Sequence, residues 1–263
     1  MDVVLLKKNL DTKIIGKNIQ CYEKIDSTND EAIRLAKGGA KEGTVVISEV
    51  QTSGKGRLGR QWSSKKGESL TFSVIIKPHV SLYKTFTVTL LGVLSAVRAV
   101  RWKTGLEAKL KWPNDIVVHD KKVGGVLSEA VPSKKGPDSI IVGIGINVNN
   151  SGFPSPIKNT ATSLKLESGR KIGREEVCAA VLSEFEKLYS TFLSGEKKQI
   201  LDEWRTVSWT LGKIVSARTN KGDFKGEAVN LGEAGELIIK SKGGRINKLK
   251  PGQVIKLDHV GSR

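Results

Sequence analysis

Two grammars share this chain. Up to about residue 210, helical patterns alternate with β-branched runs; beyond Leu211-Gly212 only short strands between Gly, Asn and Lys turns remain. Ile214–Arg218, Phe224–Leu231, Glu236–Lys240, Arg245–Leu249 and Val254–Leu257 read as five strands. Packed into about fifty residues, they favour a small barrel over a continuation of a larger sheet. A boundary is expected near 209–212, dividing 1–210 from 211–263.

The first unit reads as α+β. Thr28 with Glu31 three residues on fits a capping box, opening a helix that Gly38-Gly39 ends. Thr44–Val50 and Ser69–Ile76 read as strands, the second stopped by Pro78. Leu90, Leu91, Leu94, Val97 and Val100 give the stripe of a mostly buried helix from Lys84 to Trp102. A strand into Lys111 follows, then a hairpin of Asp115–His119 and Val123–Ala130, and a strand over Ser139–Val148. Ile172–Leu193 is an amphipathic helix, with a shorter one over Lys197–Val207. Residues 1–26 carry little signal beyond apolar patches at Val3–Leu6 and Ile14–Ile15, and 151–170 reads as loop.

Composition excludes several classes. There are 44 Lys+Arg against 27 Asp+Glu, a formal charge of +17, with 38% hydrophobic residues. That apolar share argues against disorder, and two cysteines, Cys21 and Cys178, against a disulfide scaffold. The N-terminal apolar run is too short for a signal peptide, and the stretch from Phe86 to Val100 too short for a membrane span. A soluble cytoplasmic protein is expected. The charge fits nucleic acid, a small-anion site or a lysine-rich surface alike, so the placement of the cations decides.

Gly54-Lys55-Gly56-Arg57-Leu58-Gly59 matches the G-x-G-x-x-G dinucleotide pattern, but no helical stripe follows the last glycine, and the Walker Gly-Lys-Ser/Thr is missing. From Gly54 to Lys66 there are five cations and no acid. Glycines let backbone N–H groups approach an anion that the cations neutralise; a solvated hairpin tip is the alternative. Lys111-Trp112-Pro113-Asn114-Asp115 is either a packed Trp-Pro corner or a second part of a site. Lys122 with Gly124-Gly125, and Gly143-Ile144-Gly145-Ile146-Asn147, strip side chains from β-runs for close approach or a bulge. His79, His119 and His259 are scattered, each read as a surface or satisfied residue, and no zinc spacing or nucleophile elbow occurs. Arg57, Lys111 and Lys122 without a nucleophile suit chemistry in which the ligands supply the reacting groups, such as phosphoryl or nucleotidyl transfer.

Taken in order, Asp26-Ser27-Thr28-Asn29, Gln51, Gly54–Trp62, Lys111–Asp115, Lys122–Leu127 and Gly143–Asn147 resemble the motifs of biotin–protein ligases over roughly residues 23–150. The resemblance implies a class II aminoacyl-tRNA synthetase-like mixed sheet with flanking helices and an SH3-like C-terminal barrel. It implies biotin and MgATP as substrates, biotinyl-5′-AMP as intermediate, and transfer to a lysine of a biotin carboxyl carrier protein. By the same resemblance Ser27, Thr28, Asn29 and Gln51 bind the biotin ureido end. Gly54, Lys55, Gly56 and Arg57 fold over the intermediate, and Lys122 and Gly125 line the biotin pocket. Arg57, Trp62, Lys111 and Asn147 face the nucleotide. Arg57, Lys111, Asp115 and Lys122 are the catalytic candidates, Asp115 to position the attacking lysine; the ligands of Mg²⁺ are not identified by the motifs.

The loop departs from the family's frequent Gly-Arg-Gly-Arg, since Lys55 keeps charge without bidentate geometry. Only 26 residues precede Ser27, too few for the DNA-binding module some members carry, so DNA-binding repression is not expected. A lipoate–protein ligase of the same superfamily and a basic nucleic-acid-binding protein are the alternatives. Whether the chain forms a homodimer stays open.

Overall fold

The computed structural model describes residues 1–78, 85–133 and 136–259. Seven strands form one mixed sheet: β1 (Ile19–Ile25), β2 (Val45–Gln51), β3 (Ser69–Ile76), β4 (Lys109–Lys111), β5 (Asp115–Val118), β6 (Lys121–Ser133) and β7 (Gly136–Asn147). Their spatial order is β1-β2-β3-β7-β6-β5-β4, with β1–β2 parallel and every other pair antiparallel. A period of two divides the side chains between the faces. Leu70, Phe72, Val74 and Ile76 of β3 join Val142, Ile144 and Ile146 of β7 in the main core. Ile75 and Ile141, one residue out of phase, pack on the opposite face with Val46 and Ala32.

Helix α2 (Thr28–Lys37) covers that opposite face, after the short α1 (Val3–Lys8). The main-core face carries α3 (Thr85–Thr104), with α5 (Arg174–Leu193) packed against it; α4 (Leu164–Ser168) and α6 (Lys197–Thr206) complete the helices. Arg98, mid-way along α3, is neutralised there by Glu184 of α5 at 2.8 Å and Glu203 of α6 at 2.5 Å.

The short C-terminal strands form a second, antiparallel sheet: β8 (Ile214–Thr219), β9 (Gly222–Leu231), β10 (Leu237–Lys240), β11 (Ile246–Leu249) and β12 (Val254–His259), ordered β11-β10-β9-β8-β12. Its buried residues Val215, Ala217, Ala228, Leu237 and Ile239 belong to the same hydrophobic cluster as the first sheet's core. Trp112 is a joint between the two, almost fully buried, its indole Nε1 donating to Gly235 O at 3.0 Å and its backbone N to Thr210 Oγ1 at 2.9 Å. Phe86 meets its ring edge-on at 6.5 Å.

Three sequence expectations change. The capping box does not form: Ser27 is the N-cap residue without a side-chain bond, and the Thr28 hydroxyl turns to Gln51 instead. Residues 1–26 hold α1, capped by the Asp2 carboxylate on Val4 N and Leu5 N, and the edge strand β1. The segment 151–170 contains α4, capped by Ser163. His79 and Lys84 lie outside the described residues. Among those described, no helix is long and apolar enough to cross a membrane.

Candidate active site

The face beneath α2 is unusual for a buried sheet. Where β3 shows Leu70, Phe72 and Val74 to the core, it shows Ser69, Thr71 and Ser73 to α2, all buried. β7 shows Gly143, Gly145 and Asn147 on this side. The antiparallel registers set these residues in rows. One row runs Ser48, Thr71, Gly145, Gly125, Asp115, Lys111 across six strands. The next runs Val46, Ser73, Gly143, Leu127. Glycines at the centre leave a trough, polar at the α2 end and charged at the β4 end.

The glycines are required by what lies over them. A Cβ on Gly143 would fall 2.1 Å from Asn29 Oδ1, and one on Gly145 would fall 2.5 Å from the Trp62 indole. At the polar end, Gln51 Oε1 accepts from Thr28 N at 2.7 Å and from Thr28 Oγ1 at 3.1 Å. Asn29 is tied to Ser73 and Glu129. Ser27 is buried at the helix start. At the charged end, Lys122 Nζ lies 2.6 Å from Asp115 Oδ1, with Gly125 beneath the pair, and 5.9 Å from the Trp62 ring centroid. Lys111, paired with Asp115 in register, holds its ammonium 4.7 Å from the Trp209 ring. Burial pushes that ammonium below its usual pKa, and Asp115 opposes the shift.

The basic loop is a small hairpin closed by Gly56 N to Arg60 O at 2.7 Å and Trp62 N to Gly54 O at 2.9 Å. Leu58 at its tip has φ 57°, a left-handed conformation uncommon outside glycine. Beside the loop opens a cavity of about 580 Å³ lined by Gly54, Lys55, Gly56, Arg57, Leu127 and Glu129 among others, a size that suits a small organic ligand. The two cations differ in position. Lys55 pairs with Asp30 of α2 at 2.5 Å, whereas Arg57 reaches the C-terminal unit and donates to Pro251 O at 2.7 Å.

Ser27, Thr28, Asn29 and Gln51 thus converge at one end of the trough, and Lys111, Asp115, Lys122 and Gly125 at the other. Gly54, Lys55, Gly56, Arg57 and Trp62 lie on the loop between. Asn147 stands on the same face, but its amide is buried and donates to Thr162 O at 3.1 Å. Sequence reasoning missed Ser73 and Glu129. The alternation of Ser69, Thr71 and Ser73 with apolar residues, in a strand buried on both faces, was the available signal. Among the described residues, no group of three or more His, Cys, Asp or Glu is gathered.

A solved biotin protein ligase from Aquifex aeolicus, in complex with biotin and ATP, superposes with a TM-score of 0.81. It is 34% identical, over 93% of this chain and 100% of that one. This chain belongs to the biotin–protein ligase family. The profile of the biotin/lipoate A/B protein ligase family matches residues 21–147, the span that holds both ends of the trough. The bifunctional ligase/repressor BirA of Bacillus spizizenii is 35% identical over 241 residues, 91% of this chain and 74% of BirA. The biotin–[acetyl-CoA-carboxylase] ligase of Paracoccus denitrificans is 28% identical over 225 residues, 84% of this chain and 93% of that protein.

One further ionisable group sits where this ligase-family chain joins its two sheets. His259 is half-buried and edge-on to Trp209 at 3.9 Å, and among the described residues neither ring nitrogen finds a hydrogen-bond partner, contrary to the sequence expectation. Burial first, then Lys111 and Lys213, with Asp258 and Asp120 opposing, bring its pKa from 6.5 down to about 4. The unfolded chain therefore takes up this proton where the native one does not, and stability falls as pH drops from 6.5 to about 4. A His259→Gln protein is expected to lose part of that acid limb in thermal melts. An unchanged limb contradicts it.

Proposed function

We propose that this protein activates biotin with MgATP to biotinyl-5′-AMP and transfers the biotinyl group to a lysine of a carrier protein. One observation carries the reading: a glycine-floored trough with neutral hydrogen-bonding groups at one end and Lys111, Asp115 and Lys122 at the other. Biotin has the matching polarity, a neutral ureido ring at one end and a carboxylate at the other. Gln51, Thr28, Asn29 and Ser27 would face the ureido ring, and the loop from Gly54 to Arg57 would close over the chain between.

In the first step a biotin carboxylate oxygen attacks the α-phosphorus of ATP, the bond to the bridging oxygen breaks, and pyrophosphate leaves. Carboxylate and triphosphate repel each other, so Lys122, Lys111 and Arg57 offset the charge, already held in place before the ligands arrive. Mg²⁺ enters as part of MgATP, held by phosphate oxygens and water. Trp62 offers an aromatic face for the adenine, with Asn147 supporting the nucleotide side. In the second step the carrier's lysine, as free amine, attacks the acyl carbon; AMP departs, an amide forms and a proton is released. Asp115 would position that amine, exchanging its ion pair with Lys122 as the phosphates draw the ammonium away.

Relatives named as biotin–[acetyl-CoA-carboxylase] ligases support a biotin carboxyl carrier protein as the acceptor. The mixed sheet with helices on both faces supports the class II synthetase-like description. Five short antiparallel strands, with a 3-10 turn at Pro251–Gln253 before the last, support the SH3-like one. ATP–pyrophosphate exchange tested with biotin and lipoate separates the two acids of the superfamily. Exchange with biotin alone is expected; exchange with lipoate and not biotin overturns the choice.

A further inference from the structure

Glu129 lines the cavity beside the basic loop, a carboxylate in a lining that also holds Lys55, Arg57 and Arg60. Its carboxylate accepts from Asn29 Nδ2 at 2.6 Å. We propose that Glu129 is a positioning residue that fixes the polarity of the hydrogen-bond chain reading the neutral end of biotin. The inference rests on the ligase reading and adds a residue to it.

The polarity follows from donors and acceptors alone. An ionised carboxylate only accepts, so the Asn29 carboxamide must turn its nitrogen toward Glu129 and its oxygen away. That nitrogen also approaches Leu127 O, at 3.3 Å. Asn29 Oδ1 then accepts from Ser73 Oγ at 2.6 Å, which uses the one proton of that hydroxyl. Ser73 Oγ is also 2.8 Å from Thr28 Oγ1, so the Thr28 hydroxyl serves as the donor in that pair or toward Gln51 Oε1. At the far end the backbone N–H of Thr28, which cannot reverse, holds Gln51 Oε1 at 2.7 Å. The amide Nε2 of Gln51 is left as a donor toward the trough. The obligate acceptor Glu129 thus orients the Asn29–Ser73 end and the Thr28 backbone N–H orients Gln51, with the single proton of the Thr28 hydroxyl shared between the two ends.

Removing the carboxylate leaves Asn29 Nδ2 only its longer contact to Leu127 O, which loosens the hold on the carboxamide; a reversed carboxamide would present its NH2 to Ser73, where a hydrogen-bond acceptor stands now. The cost falls on recognition of the neutral group, not on the phosphates. Titration calorimetry with biotin, together with steady-state exchange, reads the two apart. Glu129→Ala is expected to weaken biotin binding about tenfold, the effect of leaving a buried polar group badly paired, with KM for ATP and kcat little changed. Glu129→Gln, whose Oε1 takes the same hydrogen bond from Asn29, is expected to restore most of the loss. Biotin affinity unchanged in Glu129→Ala, a parallel fall in kcat, or a Gln variant as weak as the Ala one overturns the inference. A wild-type protein that binds no biotin overturns the ligase reading itself, and this inference with it.

Discussion

Gly143→Ala will lose about a hundredfold in biotin-dependent ATP–pyrophosphate exchange while folding normally. The added Cβ would stand 2.1 Å from Asn29 Oδ1, well inside the 3.0 Å that real Cβ contacts observe, so one partner must move. The strand cannot yield, because Gly143 is held between Ser73 of β3 and Leu127 of β6 in the middle of the sheet. Asn29 yields instead, by roughly 1 Å, a displacement of the size that costs a positioned site about two orders of magnitude. It lies at the first turn of α2, so Thr28 and its contacts to Gln51 move with it. Alanine suits the strand itself, but the displaced Asn29 loosens its buried bonds to Ser73 and Glu129, so the thermal midpoint should fall modestly while the fold is kept. Exchange within threefold of wild type would show that the notch at Gly143 serves packing alone.

Lys122→Met carries the second large effect. Removing one preorganised cation from the developing phosphate charge should cost about 3–4 kcal/mol, two to three orders of magnitude in kcat/KM for adenylate formation. The loss has a second component, because Lys122 neutralises Asp115 at 2.6 Å. Without it, a bare carboxylate faces an incoming carboxylate and triphosphate. Adding Asp115→Asn removes that repulsion, so the double variant should form adenylate faster than Lys122→Met alone. The double variant should still be slow in transfer from preformed biotinyl-AMP, the step proposed for Asp115. A double variant whose adenylate rate is the plain product of the two single losses would contradict this coupling.

Much of this arrangement was legible in the sequence, for a physical reason: β-runs and helical stripes are local. Ser69–Ile76 and the five C-terminal strands follow alternation and turn residues, and the structure places them within a residue or two. Lys111-Trp112-Pro113-Asn114-Asp115 turned out to be both a packed corner and part of the trough. Trp112 is buried between the sheets, while Lys111 and Asp115 pair in register on the polar face. What the sequence left hidden depends on register and on contacts across long stretches of chain. Ser73 and Glu129 are 44 and 100 positions from Asn29, and only the β3-β7-β6 pairing brings them to it. The capping box failed for the same reason: Thr28 matched the pattern, yet a distant glutamine took its hydroxyl. His259 looked unremarkable because only folding sets it between Trp209, Lys111 and Lys213.

The central claim is that one trough activates biotin and delivers it to a protein lysine. Its most direct test is incubation of the full chain with biotin, MgATP and a biotin carboxyl carrier domain, followed by intact mass measurement of the carrier. The carrier should gain one biotinyl group on one lysine, dependent on both biotin and ATP. A carrier of unchanged mass, while biotin and ATP are supplied in excess and the protein is folded, would contradict it.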